Sequence, residues 1–411
     1  MTTRLTTRGT TRSTTRGTIP GVAKIRTPLA IFGDSITAQN TINETNLFAG
    51  FSASGYATWG MFYAGRQYDL AKRISSVSSD APDWDFGYGS YSASNLLNGN
   101  RSGDGVYPMT DLATADPESV FVFCGSNGVA GATTTDAILE IWDTFRAAGR
   151  RVFAAEILPR TAAAAGYGPT ELAATYANNV TLKAAAGARG IPFLEWASLV
   201  ATEPGGYGDP EWMPDQVHPG TRGAQRLGIA FAEFISRYFK NDFATPAIGN
   251  AAWLTGNPGM SGDVSGGATG FTFGSDVTAK SKVTDPDGTV WQRVSFSGAT
   301  GAQNTRQTSG TNTAQTGDVV RAVCRIRGVS ADWAIRNIRL RMLRQGDATI
   351  FRAGDMHMTT PDTDPLELLP DGYLMGPEYT IPASTTNLFT YLNFWGSGSV
   401  DFREFGIIKV R

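Results

Sequence analysis

The chain has 411 residues, 41% of them apolar and 18% charged, with a net charge of −2. That length exceeds one ordinary core and fits two domains plus appendages. The near-neutral charge gives nucleic acid no electrostatic hold, and no apolar run approaches the roughly 20 residues that cross a bilayer, so neither nucleic acid nor membrane is expected as a partner.

The first element is a repeat, TTRL TTRG TTRS TTRG, over residues 2–17. It has almost nothing to bury and should be disordered when alone, which makes residues 1–22 a low-complexity arm. Its arginines suit attachment to an acidic surface or to the groove of a partner; a solvated leader is the bland alternative. No apolar stretch of a secretory signal stands at the start, so work outside a cell would require export by another route.

Over residues 23–243, strand-like runs alternate with helix-like ones. The strands are PLAIFG, SVFVFCG, RVFAAEIL and IPFLEW. Between the second and third, Ile138, Ile141, Trp142 and Phe145 fall at helical spacing, with Thr135 to cap the start and Gly149 the end. Further helices are predicted over roughly 170–188 and after His218. Short apolar strands alternating with helices imply a parallel sheet covered on both faces, a three-layer α/β domain.

Residues 244–411 lose the helical period. Alternation takes over: Ile338, Leu340 and Met342 oppose Arg339 and Arg341, and Val320, Ala322, Cys324 and Ile326 alternate with Arg321, Arg325 and Arg327. The final run, SVDFREFGIIKVR, reads as a closing strand interrupted by Gly406. This predicts an all-β sandwich of jelly-roll type. Cys124 and Cys324 read as buried, unpaired strand thiols, giving neither a disulfide framework nor a zinc site. Trp253, Trp291, Trp333 and Trp395 could face a sugar, although most tryptophans of a sandwich are core.

In an α/β sheet, reactive groups belong beyond the carboxyl ends of the strands. There the first strand delivers Gly33-Asp34-Ser35, the second delivers Gly125-Ser126-Asn127, and the loop MPDQVHPG sets Asp215 three residues ahead of His218. Each has a bland reading, since Gly-Asp-Ser makes turns and Asp or His near Pro-Gly caps helices. A serine hydroxyl becomes a useful nucleophile only with a base beside it. His218 is one of only two histidines in the chain and the only one in the α/β region, the other being His357 in the β region.

These motifs, in this order, resemble those of the SGNH hydrolases, also called the GDSL family of esterases and lipases, over about residues 24–243. The resemblance implies a flavodoxin-like three-layer fold and makes Ser35 the nucleophile and Asp215 and His218 its triad partners. It also implies an oxyanion hole formed by the backbone N–H of Ser35, the amide of Asn127 with Gly125 in support, and a glycine of a further motif. The nearest match to that motif, DFGYGSYSASNLL, puts Ser90 at the glycine position, with Gly89 as the close alternative. Gly128 stands where the family usually has an aspartate. No metal or organic cofactor is required.

The substrate expected is a small acyl ester, O-acetyl on a polysaccharide, because a β-sandwich beside a hydrolase suits a glycan and no long apolar lid is evident. The aromatic segment GYATWGMFYAGRQYDL is expected to be a core helix leading into a strand rather than a substrate contact. Arm, hydrolase and sandwich also form an arrangement found in bacteriophage tail proteins, so an extracellular or virion-associated location, virion proteins as partners of the arm, and an oligomer enter as expectations. The rival readings are a structural or receptor-binding virion protein with a vestigial fold, and a lipid esterase or thioesterase. The two domains should divide the labour, with His357 an ordinary strand residue.

Overall fold

The computed structural model describes residues 28–42, 47–48, 50–52, 54–65, 68–73, 85–99, 103–129, 132–239, 245–246, 248, 252–254, 257–275, 277–307, 315–346, 349–353, 356–357, 365–383 and 385–410. The Thr/Arg repeat lies outside the described residues.

The α/β half runs β1 (Leu29–Gly33), α1 (Ser35–Ala38), β2 (Thr41–Ile42), β3 (Leu47–Phe48), β4 (Gly50–Ser52), α2 (Tyr56–Tyr63), β5 (Phe86–Gly87), α3 (Ala93–Asn98), α4 (Pro108–Ala115), β6 (Ser119–Phe123), α5 (Ala132–Ala147), β7 (Arg151–Ala155), α6 (Pro169–Arg189), β8 (Phe193–Leu194) and α7 (Thr221–Ile235). Five strands form a parallel sheet in the order β5-β1-β6-β7-β8. Successive side chains of a strand point to opposite faces, so a sheet covered on both sides needs apolar residues throughout. Leu29, Ile31, Phe121, Phe123 and Phe153 accordingly pack on one face with Leu227 and Phe231 of α7. Ala30, Phe32, Val120, Val122 and Val152 pack on the other with Ile138, Ile141, Trp142 and Phe145 of α5. The three-layer expectation holds.

Two local expectations change. Helix α5 begins at Ala132, so Thr135 is not its cap; it lies inside the first turns, where its hydroxyl donates to Asn178 Oδ1 at 2.9 Å. The fifth strand, β5, falls within the DFGYG segment that sequence reading treated only as a motif.

The β half comprises β9 (Phe271–Phe273), β10 (Val277–Thr284), β11 (Val290–Gln307), β12 (Val319–Gly346), β13 (Thr349–Ala353), β14 (Met356–His357), β15 (Gly372–Met375), β16 (Tyr379–Thr380) and β17 (Thr385–Lys409). Its strands pair with one another antiparallel. The long strands β12 and β17 pair over nearly their whole length, with register shifts between Val329 and Ala334 and between Ile335 and Asn337. Val320, Ala322, Cys324 and Ile326 from the first part of β12 share one core with Ile338, Leu340 and Met342 from the second, as in a sandwich whose long strands serve both layers. Gly406 does not interrupt β17, which continues to Lys409; the backbone irregularity is at Glu404, a non-glycine residue at φ +47°. Trp253 and Trp291 are buried, whereas Trp333 and Trp395 are half-buried. Cys124 and Cys324 are both buried and free.

The two halves interlock, which the switch of pattern near Phe243 did not suggest. Strands β2 to β4, directly after the Gly-Asp-Ser turn, leave the α/β half: β4 pairs in parallel with β14, where His357 stands opposite Ser52, and β3 pairs with β13. Helix α2 is buried on both sides, as a core helix should be. Tyr56, Ala57 and Met61 enter the α/β core while Trp59 and Phe62 enter the β core. Helices α2 and α7 touch through Gly228, where a Cβ would lie 2.3 Å from Trp59 Cβ and 2.9 Å from the Tyr56 carbonyl. Gln225 of α7 donates from Nε2 to Tyr63 Oη at 2.7 Å and accepts the Glu367 N–H of the β half at 2.8 Å. Arg321 of β12, 7% exposed, reaches Asp69 at 2.7 Å.

Candidate active site

The end of β1 turns sharply because Gly33 presses against β6: a Cβ there would sit 1.8 Å from the Phe123 carbonyl oxygen. Asp34 then caps α1, its Oδ1 accepting the Ile36 N–H at 3.1 Å, while its Oδ2 accepts the Ser126 N–H at 3.1 Å. One carboxylate thus ties the Ser35 turn to the loop after β6. Burial pushes the Asp34 carboxyl above the usual range, opposed by those two N–H donors and by the charges of His218 and Arg160.

Ser35, His218 and Asp215 form one hydrogen-bonded chain. Ser35 Oγ is 2.8 Å from His218 Nε2, and His218 Nδ1 is 2.7 Å from Asp215 Oδ2. An ionised carboxylate only accepts, so Nδ1 carries the imidazole proton and Nε2 is left to accept from the serine hydroxyl. Asp215 Oδ1 also accepts the backbone N–H of His218 at 2.6 Å and of Val217 at 3.0 Å. Partial burial would raise the Asp215 carboxyl, but these two N–H groups and the His218 ring outweigh it and hold the group below its ordinary value. The tight loop puts Gln216 at φ +75°, the left-handed region that costs a non-glycine residue about 1–3 kcal/mol.

The loop after β6 turns on Gly125, at φ +113°, and presents Asn127. Its Nδ2 donates to the Tyr91 carbonyl at 3.1 Å and its Oδ1 accepts from Arg160 Nη2 at 2.8 Å. Tyr91 closes a turn whose N–H donates to the Tyr88 carbonyl at 3.2 Å. Within that turn Ser90 has φ +63°, the left-handed conformation that favours glycine, and is exposed with Gly89. This conformation marks Ser90 rather than Gly89 as the residue in a glycine-like position.

Sequence reasoning missed Asn40 and Arg160. Asn40, fully buried, accepts the Ala57 N–H at 2.7 Å and donates to the Thr37 carbonyl at 2.8 Å, joining α1 to α2. Arg160 follows β7 and touches Asn127. Beside them lies a cavity of about 450 Å³ lined by Ser126, Gly128, Val129, Arg160, Gly166, Tyr167 and Glu171.

The strand-end serine and the Asp-x-x-His loop both fall within residues 31–226, which match the model of the GDSL-like Lipase/Acylhydrolase family. That segment, a little under half of the chain, is similar to this family of lipases and acylhydrolases. Among solved structures, the chain is similar to a GDSL-like lipase from Bacteroides thetaiotaomicron, at 18% identity over 51% of this chain and 87% of that one, with a TM-score of 0.36. It is similar to a lipase/acylhydrolase from Enterococcus faecalis at 16% identity, over 53% and 98% of the two chains, with a TM-score of 0.35. An acetyl xylan esterase aligns at 15% identity over 49% and 96%, with a TM-score of 0.35. None of the curated proteins matches the chain.

Proposed function

We propose that this chain is a serine esterase of the GDSL type that removes small acyl groups, O-acetyl foremost, from a polysaccharide. The observation that carries the reading is the chain of 2.8 Å and 2.7 Å contacts from Ser35 through His218 to Asp215. In the proposed reaction His218 Nε2 takes the Ser35 proton as Oγ attacks the ester carbonyl, while Asp215 holds the ring and offsets the charge it gains. The backbone N–H groups of Ser35 and Ser90 and the amide of Asn127 receive the oxyanion. Protonated His218 then gives its proton to the leaving alcohol, and water, activated by the same nitrogen, releases the acid from Ser35.

The preference for a polar substrate rests on the cavity beside Asn127. Its walls include Arg160, Glu171 and Tyr167 but only one aliphatic side chain, Val129. A long acyl chain needs continuous apolar lining, whereas a sugar hydroxyl finds donors and acceptors here. We further read the β half as a jelly-roll that holds the polymer or a neighbouring subunit, and residues 1–22 as an attachment arm of an extracellular or virion-associated protein.

The test is acetate release from O-acetylated polysaccharides, with p-nitrophenyl esters of increasing chain length alongside. Ser35→Ala is expected to lower kcat by about 10⁶-fold, the scale of losing a triad nucleophile, with thermal unfolding unchanged. Near-full activity of Ser35→Ala would remove the nucleophile assignment, and wild-type inactivity on every ester would favour the vestigial reading. Rates that rise with chain length would favour a lipid esterase.

A further inference from the structure

We propose that Arg160 is a positioning residue for this hydrolysis, fixing which way the Asn127 amide faces. The inference rests on the esterase reading and goes beyond it, because Arg160 belongs to none of the motifs that identify the nucleophile, the base or the oxyanion donors.

A side-chain amide has a donor end and an acceptor end of nearly equal size, and the two orientations do opposite things to a developing oxyanion. Nδ2–H stabilises it; Oδ1 repels it. Two contacts select between them. Arg160 can only donate, so the Asn127 atom 2.8 Å from its Nη2 must be Oδ1. The Tyr91 carbonyl can only accept, so the atom 3.1 Å from it must be Nδ2. That bond uses one of the two amide hydrogens and leaves the second for a ligand.

Arg160 also fixes the backbone beneath the amide. The same Nη2 donates to the Ser126 carbonyl at 2.6 Å, so both its hydrogens are used, one on each side of the Ser126–Asn127 link. The N–H of Ser126 meanwhile goes to Asp34, the residue before the nucleophile. The next residue along, Thr161, donates its N–H to the Gln216 carbonyl at 3.1 Å, in the loop between Asp215 and His218. The segment carrying Arg160 therefore touches the oxyanion side and the base side at once. A cation serves better than a neutral donor here, because its charge also favours the ionised form of buried Asp34.

Without the guanidinium, the tie to Tyr91 remains but the amide loses the partner that holds its oxygen away from the ester. The loss falls on the transition state, since the ester carbonyl before attack carries little charge. The experiment is a double-mutant cycle in the full-length protein on p-nitrophenyl acetate, with Ser35→Ala as the blank. Asn127→Ala should lower kcat by about 10²- to 10³-fold. Arg160→Met should lower kcat by up to about 10²-fold, the cost of a misplacement of about 1 Å, with KM nearly unchanged. Arg160→Lys should recover part of that loss. The double variant should be no slower than Asn127→Ala alone, because Arg160 acts through that amide. Multiplying losses in the double variant, a change confined to KM, or wild-type kcat in Arg160→Met would each overturn the proposal. Should Arg160→Met fail to fold, the same cycle run with Arg160→Ala decides by the same criteria. Activity surviving in Ser35→Ala would overturn the esterase reading itself, whereas loss in Ser35→Ala and Asn127→Ala but not at Arg160 would overturn this inference alone.

Discussion

Both halves gather charged and polar side chains, but they close them differently. At the carboxyl edge of the parallel sheet, the bonds around Asp34, Asn127 and His218 are tight, yet they leave the serine hydroxyl to the base, and among the described residues the second amide hydrogen of Asn127 meets no acceptor. On the β half the charges close on each other. Arg327 donates to Asp285 at 2.8 Å and to Asp401 at 3.0 Å, Arg293 donates to Asp401 at 2.7 Å, and the Arg327 guanidinium stacks 4.3 Å above the ring of buried Trp291. The first arrangement can bind and react. The second stitches strands β11, β12 and β17 to the turn that follows β10, and its donors and acceptors answer each other.

The strongest way to break this comparison is to separate the halves. A chain ending near Asp242 would expose Trp59 and Phe62, remove β13 from β3 and remove β14 from β4. Soluble, folded protein is therefore expected to be lost, and turnover with it, contrary to the simple division of labour that the sequence pattern suggests. Circular dichroism and p-nitrophenyl acetate turnover of the truncated chain check this. A folded, active product would show that the halves are independent after all.

A smaller effect sharpens the contrast. Asp401 is 1% exposed and accepts from two arginines, so Asp401→Ala takes the carboxylate from Arg293 and leaves Arg327 with Asp285 alone. A loss of about 3 kcal/mol of stability is expected, while kcat of the folded protein stays at the wild-type value. Denaturant unfolding and steady-state kinetics separate the two quantities, and a fall in kcat would carry this face into the chemistry. Arg321→Met should cost about 1–2 kcal/mol, less than a fully buried pair, because its partners Asp69 and Glu378 keep about a quarter of their side-chain surface in water. Its urea midpoint is the measurement.

Much of the fold and site could be read from residue order because the signals were local. Continuous apolar runs of β1, β6 and β7 announce a sheet buried on both faces, and Asp215 three residues before His218 places a carboxylate within reach of the imidazole. The missing parts have no local signal. Strands β2 to β5 are two or three residues long, too short for a period, and β4 finds its partner about 300 residues away in sequence. Arg160 and Asn40 act through backbone carbonyls and amides, a role that any exposed-looking Arg or Asn could hold until tertiary contacts decide it.

Ser90 is the case where a sequence departure carries its own explanation, and it gives the smallest expected effect. The turn from Tyr88 to Tyr91 needs φ +63° at this position, a conformation that glycine adopts freely and serine does not. If Ser90 contributes only its backbone N–H, Ser90→Gly keeps the donor and relieves the strain. The unfolded chain, however, gains freedom from the glycine, so the two effects partly cancel and stability should change by no more than about 1 kcal/mol. Turnover of p-nitrophenyl acetate should be unchanged. A large fall in kcat with unaltered thermal unfolding would mean that the Ser90 hydroxyl itself meets the substrate, and the site would then hold one more open donor than the backbone alone supplies.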